Sequence, residues 1–222
     1  MIVSIHQPDY LPWLGYFNKI AKSDVFVFLD DAQYSTDNMH NWNKIKTPQG
    51  ELKLKVPVIN KLGYKINEVK TRDELGWKQK HLKTIAMNYK KAPYFDEVYA
   101  DLENVIIPEY ESIAHMNMAF IKLYCEKFGF DTKILVSSDM GLDSLKEQRV
   151  IDIVKLVGGD EYYSGNGARE YQVPEHFESC GIKLTYTSFE PFEYNQLWEK
   201  CGFVGALSAL DYTMNHGYNW YE

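Results

Sequence analysis

The chain has 222 residues, a length that fits one α/β domain with or without a small appended lobe, and its 45% apolar and 25% charged residues supply a buried core. Its net charge of −7 argues against a general nucleic-acid binder, because such proteins carry an excess of positive charge. Three widely spaced cysteines indicate neither a disulfide framework nor a metal site, and without a signal peptide or a run of about 18 apolar residues we expect a cytoplasmic protein with no membrane span.

The N-terminal segment predicts a βαβ unit. A β-branched strand over 2–6 leads into a polar loop over 7–12, then a helix over 13–22 and a second strand over 25–29. The helical interpretation rests on apolar residues that recur at helical spacing, and the strands on short apolar runs. Such a start is typical of α/β proteins with a parallel sheet.

Polar side chains follow both of these strands. His6, Gln7 and Asp9 come after the first, and Asp30 and Asp31 after the second. Open α/β sheets bind ligands at the carboxyl ends of their strands, and imidazole is suited to acid–base catalysis at neutral pH. We therefore predict His6 as a general base that one of the two aspartates orients. Simple capping of the following segments is the alternative.

The middle of the chain predicts a β-hairpin followed by a helical insertion. Alternating residues and a turn at Pro48-Gln49-Gly50 favour a hairpin within 41–59. Helical periodicity then covers 75–91, 96–107 and 109–128, with prolines between the segments. We expect the insertion to occupy about 75–128.

The final third returns to alternating strands and helices. The predicted strands are 132–138, 161–165 and 183–189, and the predicted helices are 144–159, 168–178 and 194–214. The fold class predicted from the whole pattern is α/β, with a mainly parallel sheet and helices on both faces. We expect a single α/β domain over residues 1–222.

Amides and lysines alternate in the first strand of the hairpin. Asn41, Asn43, Lys44 and Lys46 carry groups that bind phosphate. Because side chains alternate between the faces of a strand, we expect the two amides on one face and the two lysines on the other. The lysines suit a solvated face as well as a phosphate.

His81 is a second histidine with a possible catalytic role. It lies four residues after Trp77 in a predicted helix, so the two side chains share a face. A histidine packed against tryptophan is also common in ordinary protein cores.

A glycine-rich loop joins a predicted strand to a helix at 162–170. Ser164, Gly165 and Gly167 in this loop favour backbone amides that point at an anion, and Arg169 adds a cation. The pattern is neither a GxxxxGK[ST] motif nor a complete GxGxxG motif. A tight turn that binds no ligand is the alternative.

The C-terminal segment carries a polar stripe. Ser208, Asp211 and Asn215 are spaced to share one face of an otherwise apolar helix. If buried, these side chains must be hydrogen-bonded. The stripe either holds the helix against the rest of the protein or faces water.

Several motifs together resemble the WbqC-like protein family over nearly the whole chain. They are IHQPDYLPWLGYF (5–17), DDAQY (30–34), NWNKIKTPQG (41–50), WKQKHLKTI with YKKAPYF (77–95), MGLDSL through YYSGNGAREY (140–171) and LSALDYTMNHG (207–217). Trp42 departs from the arginine expected between the two asparagines, which weakens the interpretation of that segment as a phosphate site. The family is associated with bacterial surface polysaccharides, including O-antigen.

The resemblance implies transfer of an acyl or aminoacyl group to the amine of a nucleotide-linked amino sugar. No cofactor is implied beyond an acyl or aminoacyl donor, and the sequence leaves the oligomeric state open. A nucleotidyltransferase-like enzyme that uses a nucleotide and Mg²⁺ is one alternative, and a non-catalytic nucleotide-sugar-binding accessory protein is another. The predicted catalytic residues, chosen on chemistry, are His6, Asp30, Asp31 and His81. The predicted substrate-binding residues are Gln7, Asp9, Tyr10, Trp13, Gln33, Asn41, Asn43, Lys46, Ser164, Gly165, Gly167 and Arg169.

Overall fold

A computed structural model describes residues 1–221. These residues form two compact units. Unit 1 contains Met1–Gln7, Gly15–Asp31 and Phe130–Glu190, and unit 2 contains the rest of the chain. The single domain expected from the sequence stays a prediction.

Strands and helices alternate at both ends of the chain, with the hairpin and three helices between them. The strands are β1 (Ile2–His6), β2 (Val25–Phe28), β3 (Trp42–Thr47), β4 (Gly50–Lys55), β5 (Val58–Ile59), β6 (Lys70–Thr71), β7 (Lys133–Val136), β8 (Glu161–Ser164) and β9 (Lys183–Tyr186). The α-helices are α1 (Leu14–Ala21), α2 (Trp77–Tyr89), α3 (Phe95–Ile106), α4 (Ile113–Phe128), α5 (Lys146–Leu156), α6 (Pro174–Glu178) and α7 (Ala209–His216). None of the helices within residues 1–221 is both long enough and apolar enough to cross a membrane.

Unit 1 is built on a parallel five-stranded sheet. The strands lie in the order β7-β2-β1-β8-β9, and each neighbouring pair is parallel. Counted along the chain, this order is 3-2-1-4-5. The direction of winding therefore reverses between β1 and β8, and such a reversal opens a crevice at the carboxyl ends of the strands. The mainly parallel sheet predicted from the sequence is confirmed.

Helices cover both faces of this sheet. On one face Val3 and Ile5 of β1 form a core with Ile153 of α5 and Phe177 of α6. On the other face the Phe26 ring of β2 lies 5.7 Å, between centroids, from the Tyr16 ring of α1. Both faces of β1 and β2 are largely buried, which explains their nearly continuous apolar sequences.

Unit 2 contains the predicted hairpin. β3 pairs with β4 in antiparallel register from Trp42 opposite Lys55 to Thr47 opposite Gly50. The predicted strand over 52–59 is interrupted near Pro57, which has no N–H for a ladder bond, and Val58–Ile59 pairs with β6 instead. The predicted helical insertion corresponds to α2, α3 and α4.

The helix predicted over 194–214 is wrong in its first part. Only Ala209–His216 is α-helical, and residues 194–208 contain a short 3₁₀ turn at Glu199–Cys201. Trp198 and Gly202 flank that turn with φ of 65° and 69°, and a left-handed backbone ends a helix. Apolar spacing in the sequence does not reveal those dihedral angles.

Candidate functional site

A cavity of about 680 Å³ opens at the carboxyl ends of β1 and β8, and all of its lining residues belong to unit 1. We call it the switch-point cavity. His6 and Gln7 reach it from the end of β1, and Ser164, Gly165 and Gly167 reach it from the end of β8. Its volume is in the range of small-molecule sites. The structure thus brings together five of the residues predicted from two separate motifs.

The backbone beside His6 determines which ring nitrogen is basic. Its Nδ1 lies 3.0 Å from the backbone oxygen of Gln7, and the Tyr16 hydroxyl donates to the same oxygen at 2.9 Å. A carbonyl oxygen only accepts hydrogen bonds, so the neutral imidazole carries its proton on Nδ1. The basic nitrogen is therefore Nε2. The Tyr16 ring supports the imidazole edge-on, with 4.7 Å between the centroids.

Positive charge predominates on the cavity wall. Lys19 is buried, and its ammonium donates to the backbone oxygen of Ile5 at 2.7 Å. Lys146 is a second lining cation, with an unusual φ of 55°. Glu147 also lines the cavity, but its carboxylate accepts hydrogen bonds from His176 and from the backbone N–H of Val173. The lining therefore contains two cations and one carboxylate.

The fold does not require glycine at either lining position of the loop after β8. A Cβ at Gly165 or Gly167 would have no heavy atom within 4 Å, and neither residue has a left-handed φ. Gly165 has φ −71° and ψ 146°, which other residues adopt easily. The missing side chains leave the backbone accessible to a ligand, as in loops that bind phosphate.

Three polar side chains form one wall of the cavity. Tyr162, Ser164 and Gln172 all line it. Within residues 1–221, Ser164 Oγ and Gln172 Oε1 are buried and complete no hydrogen bond of normal geometry. Burial raises the pKa of the Tyr162 phenol to about 12, and the side chains of Ser164 and Gln172 moderate that rise. This part of the cavity lining is therefore polar and buried.

Asp30 and Asp31 are held by polar groups that follow β7. Asp30 accepts hydrogen bonds from the Ser138 backbone N–H at 3.1 Å and from its hydroxyl at 2.8 Å. Asp31 accepts one from the Ser137 hydroxyl at 2.5 Å and forms an ion pair with Arg149. These contacts tie the end of β2 to the end of β7. The proposed orientation of His6 by one of these carboxylates stays a prediction.

His81 lies in unit 2, in a buried hydrogen-bonded pair. Its Nδ1 is 2.9 Å from the Tyr10 hydroxyl, and the Trp77 ring packs edge-on against it at 5.1 Å between centroids. Burial lowers the pKa of His81 to about 4 and raises that of Tyr10. At neutral pH the imidazole is therefore uncharged, and the Tyr10 hydroxyl donates to Nδ1.

Two further predicted residues of unit 2 hold the segment after Pro8. Asn43 Nδ2 donates to the backbone oxygens of Tyr10 at 3.2 Å and Leu11 at 2.7 Å. The Asp9 carboxylate lies 3.1 Å from His40 Nδ1. These hydrogen bonds give both side chains a structural role. Substrate binding by Asn43 and Asp9 stays a prediction.

The solvated face that is one alternative for the two lysines of β3 does not hold for Lys46. Lys46 is fully buried, and its ammonium donates to the Gly202 backbone oxygen at 2.7 Å. Lys44 is only half-buried and pairs with Glu51 at 2.7 Å. A segment remote in sequence covers Lys46, which strand alternation alone does not reveal.

Three more predicted substrate-binding residues do not line the switch-point cavity. Trp13 forms an isolated bridge with Ser208, Gln33 forms one with Lys65, and the Arg169 guanidinium lies 4.5 Å from the centre of the Tyr186 ring. Their roles in binding stay predictions.

Asp211 from the polar stripe is the centre of a buried network in unit 2. Its carboxylate accepts hydrogen bonds from the hydroxyls of Tyr89 at 2.6 Å and Tyr194 at 2.9 Å, and from the Gln196 amide at 2.7 Å. Burial raises the pKa of this carboxyl group. The stripe therefore holds α7 in the fold, at least through Asp211.

The strand order and the position of the cavity define unit 1 as a doubly wound α/β fold with a ligand crevice at its switch point. The WbqC-like protein family matches residues 7–221. The chain therefore belongs to the WbqC-like protein family, as its motifs predict. It is 33% identical over 219 residues to the uncharacterized protein Rv1507c of Mycobacterium tuberculosis (strain ATCC 25618 / H37Rv), covering 97% of this chain and 94% of that protein. No solved structure matches the chain significantly.

Proposed function

We propose that this WbqC-like protein is a transferase that binds a nucleotide-linked amino sugar in the switch-point cavity and transfers an acyl or aminoacyl group to the sugar amine. One observation carries the proposal. An imidazole at the end of β1 and an open glycine-containing loop at the end of β8 line the same cavity. The proposal includes the use of the modified sugar in the synthesis of bacterial surface polysaccharide, such as O-antigen.

The cavity has the charge and backbone needed for a diphosphate. In the proposed complex the diphosphate contacts the backbone at Gly165 and Gly167, where the lack of side chains permits close approach. The ammonium groups of Lys19 and Lys146 compensate its negative charge. A lysine acts on phosphate as a point charge, so neither cation needs a planar arrangement.

His6 is the proposed general base. The amine nitrogen forms a bond to the carbonyl carbon of an activated acyl donor, while His6 Nε2 takes the proton that the nitrogen loses. The bond to the donor's leaving group then breaks, and the imidazolium returns its proton to that group. The Gln7 side chain, which lines the same cavity, is the proposed hydrogen-bond donor to the developing oxyanion.

The first test replaces His6 by alanine. General-base catalysis contributes roughly 10²–10⁴-fold, so we expect turnover to fall by about that factor while ligand binding persists. Turnover is measured by mass spectrometry with a panel of nucleotide-linked amino sugars and acyl donors. His115→Gln is the matched control, because His115 is a half-buried histidine of unit 2. Unchanged turnover in His6→Ala would refute the assigned role.

The strand order also favours a second candidate, a nucleotidyltransferase-like enzyme. The order 3-2-1-4-5 and the SGNGAR segment after the fourth strand suit binding of a nucleotide. Against this candidate, Gly15-Tyr16 occupies the place of the Gly-His pair of HxGH enzymes. The Tyr16 hydroxyl also donates a hydrogen bond to the backbone oxygen of Gln7. Mg²⁺-dependent release of pyrophosphate would favour this candidate. Nucleotide-sugar binding without turnover of any donor would favour the accessory-protein alternative.

A further inference from the structure

A second cavity, of about 350 Å³, lies within unit 2 beside the β3–β4 hairpin. We call it the hairpin cavity. The residues that line it include Tyr34, Asn41, Lys55 and Asn60. Its volume is at the lower end of the range for small-molecule sites, which limits an enclosed ligand to about the size of a monosaccharide.

Two of the residues that line it each carry a buried polar atom without a hydrogen-bond partner within residues 1–221. These atoms are the Tyr34 hydroxyl oxygen and Asn41 Oδ1, on side chains that are only 8% and 1% exposed. The Asn41 Nδ2 group donates to the Val56 backbone oxygen at 2.8 Å, which fixes the orientation of the amide. A buried polar group without a partner is destabilising, so a ligand that satisfies both atoms is stabilised by them.

These two atoms specify the neutral part of the ligand. Asn41 Oδ1 is only an acceptor, so it requires an O–H or N–H donor. The Tyr34 hydroxyl both donates and accepts. A ligand hydroxyl that donates to Asn41 and a neighbouring oxygen that accepts from Tyr34 satisfy both groups.

The charge of the lining side chains specifies the charged part of the ligand. Lys55 is the one charged side chain among the described residues that line the hairpin cavity, and none of them carries a carboxylate. Lys55 is exposed, so its ammonium is accessible to a ligand. The complement is an acidic group close to the ligand hydroxyls.

We propose that the hairpin cavity binds a small hydroxylated acid. Its hydroxyls satisfy Asn41 Oδ1 and the Tyr34 hydroxyl, and its acidic group pairs with Lys55. A hydroxy carboxylate and a sugar phosphate share this chemistry. The proposal does not depend on the function of the switch-point cavity, because its test uses residues outside that cavity.

The test is an NMR titration of the ¹⁵N-labelled full chain with galacturonate and with galactose 6-phosphate. We expect one of them to shift the backbone amides near Tyr34, Asn41 and Lys55 with a millimolar Kd, at least tenfold tighter than neutral galactose. The ligand that binds more tightly shows whether the acidic group is a carboxylate or a phosphate. Inorganic phosphate is the control, because it tests whether the site binds an adventitious ion only. Shifts with phosphate equal to those with the two acids would overturn the proposal. Absence of shifts with both acids would also overturn it.

Two variants separate ligand binding from folding. Tyr34→Phe removes only the unpartnered hydroxyl, so we expect an unchanged or higher Tm and at least a fivefold weaker Kd. Lys55→Gln should weaken the Kd by a similar factor without a change in Tm. Lys53→Gln is the matched control, because Lys53 is an exposed lysine of the same strand that does not line the hairpin cavity. Unchanged affinity in Tyr34→Phe and Lys55→Gln, or an equal loss in Lys53→Gln, would contradict the proposal.

Discussion

Replacement of His81 by glutamine should remove a large part of the acid sensitivity of this protein. The imidazole is only 7% exposed, and burial holds its pKa at about 4 instead of the ordinary 6.5. The folded protein keeps His81 neutral at pH 5, whereas the unfolded chain protonates it there. The unfolded state therefore binds more protons between pH 6.5 and 4, and the free energy of unfolding must fall as the pH falls through that range.

The size of the effect follows from the two pKa values. A pKa difference of one corresponds to about 1.4 kcal/mol, so lowering from 6.5 to about 4 contributes about 3 kcal/mol of stability at neutral pH. Of this, about 2 kcal/mol is lost between pH 7 and pH 5, because the unfolded histidine is then almost fully protonated. Glutamine at position 81 does not titrate, so the free energy of unfolding of the variant lacks this pH-dependent component.

Urea denaturation followed by circular dichroism, at pH 7 and at pH 5, measures the effect. The quantity compared is the difference in free energy of unfolding between the two pH values, for the parent protein and for His81→Gln. This difference cancels acidic groups that titrate in both proteins. We expect it to be about 2 kcal/mol smaller in the variant. Equal differences in the two proteins would refute a neutral buried His81.

Three substitutions test other parts of the fold by urea denaturation. Gly159→Ala should destabilise by about 1–3 kcal/mol, because its Cβ would overlap Val3 Cγ2, and unchanged stability would contradict that packing. Arg149→Met should cost about 3–5 kcal/mol, because it leaves the Asp31 carboxylate without its ion-pair partner at about 10% exposure; a neutral effect would show the pair to be solvated. Asp211→Leu should cost at least about 2 kcal/mol, because two buried donors and one half-buried donor lose their acceptor. A loss below about 0.5 kcal/mol would mean that water replaces the carboxylate.

The parallel sheet of unit 1 was predictable because its first two strands are short apolar runs on either side of a helical segment. Ile2–His6 and Val25–Phe28 stand out in the sequence for that reason. Residues at the end of a strand have a location fixed by topology alone. His6 was therefore assigned to the carboxyl edge of the sheet from the sequence, and Gly165 to the loop after a later predicted strand.

Groups brought in by packing were not predictable in the same way. In the sequence, Lys19 is an ordinary lysine of a predicted helix. The hydrogen bond from its ammonium to the Ile5 backbone oxygen depends on how α1 packs on β1. Lys146 lines the switch-point cavity and has an unusual backbone φ of 55°, which the sequence does not indicate. Lys46 is buried by a segment more than a hundred residues further along the chain. Each position depends on tertiary contacts that no local pattern encodes.

The polar stripe of the last helix is an intermediate case. Its spacing correctly indicated a shared face, and the burial of Asp211 follows from partners on other segments. The sequence predicted the requirement for hydrogen bonds but not the identity of the donors. Asn41 was predicted to bind substrate, but the missing partners of its Oδ1 and of the Tyr34 hydroxyl had no sequence signal, because a missing partner is visible only after folding.

The central claim is that the backbone at Gly165 binds the diphosphate of a nucleotide-linked amino sugar. The most direct measurement is calorimetric titration of Gly165→Ala with a panel of such sugars. The added Cβ has open space in the folded protein, so we predict an unchanged Tm and at least a tenfold weaker Kd. The control Gly205→Ala, whose Cβ would lie in ordinary contact 3.5 Å from Phe203, should keep the parent affinity. Equal affinities of Gly165→Ala and the parent protein, or no binding of any sugar to the parent, would contradict the claim.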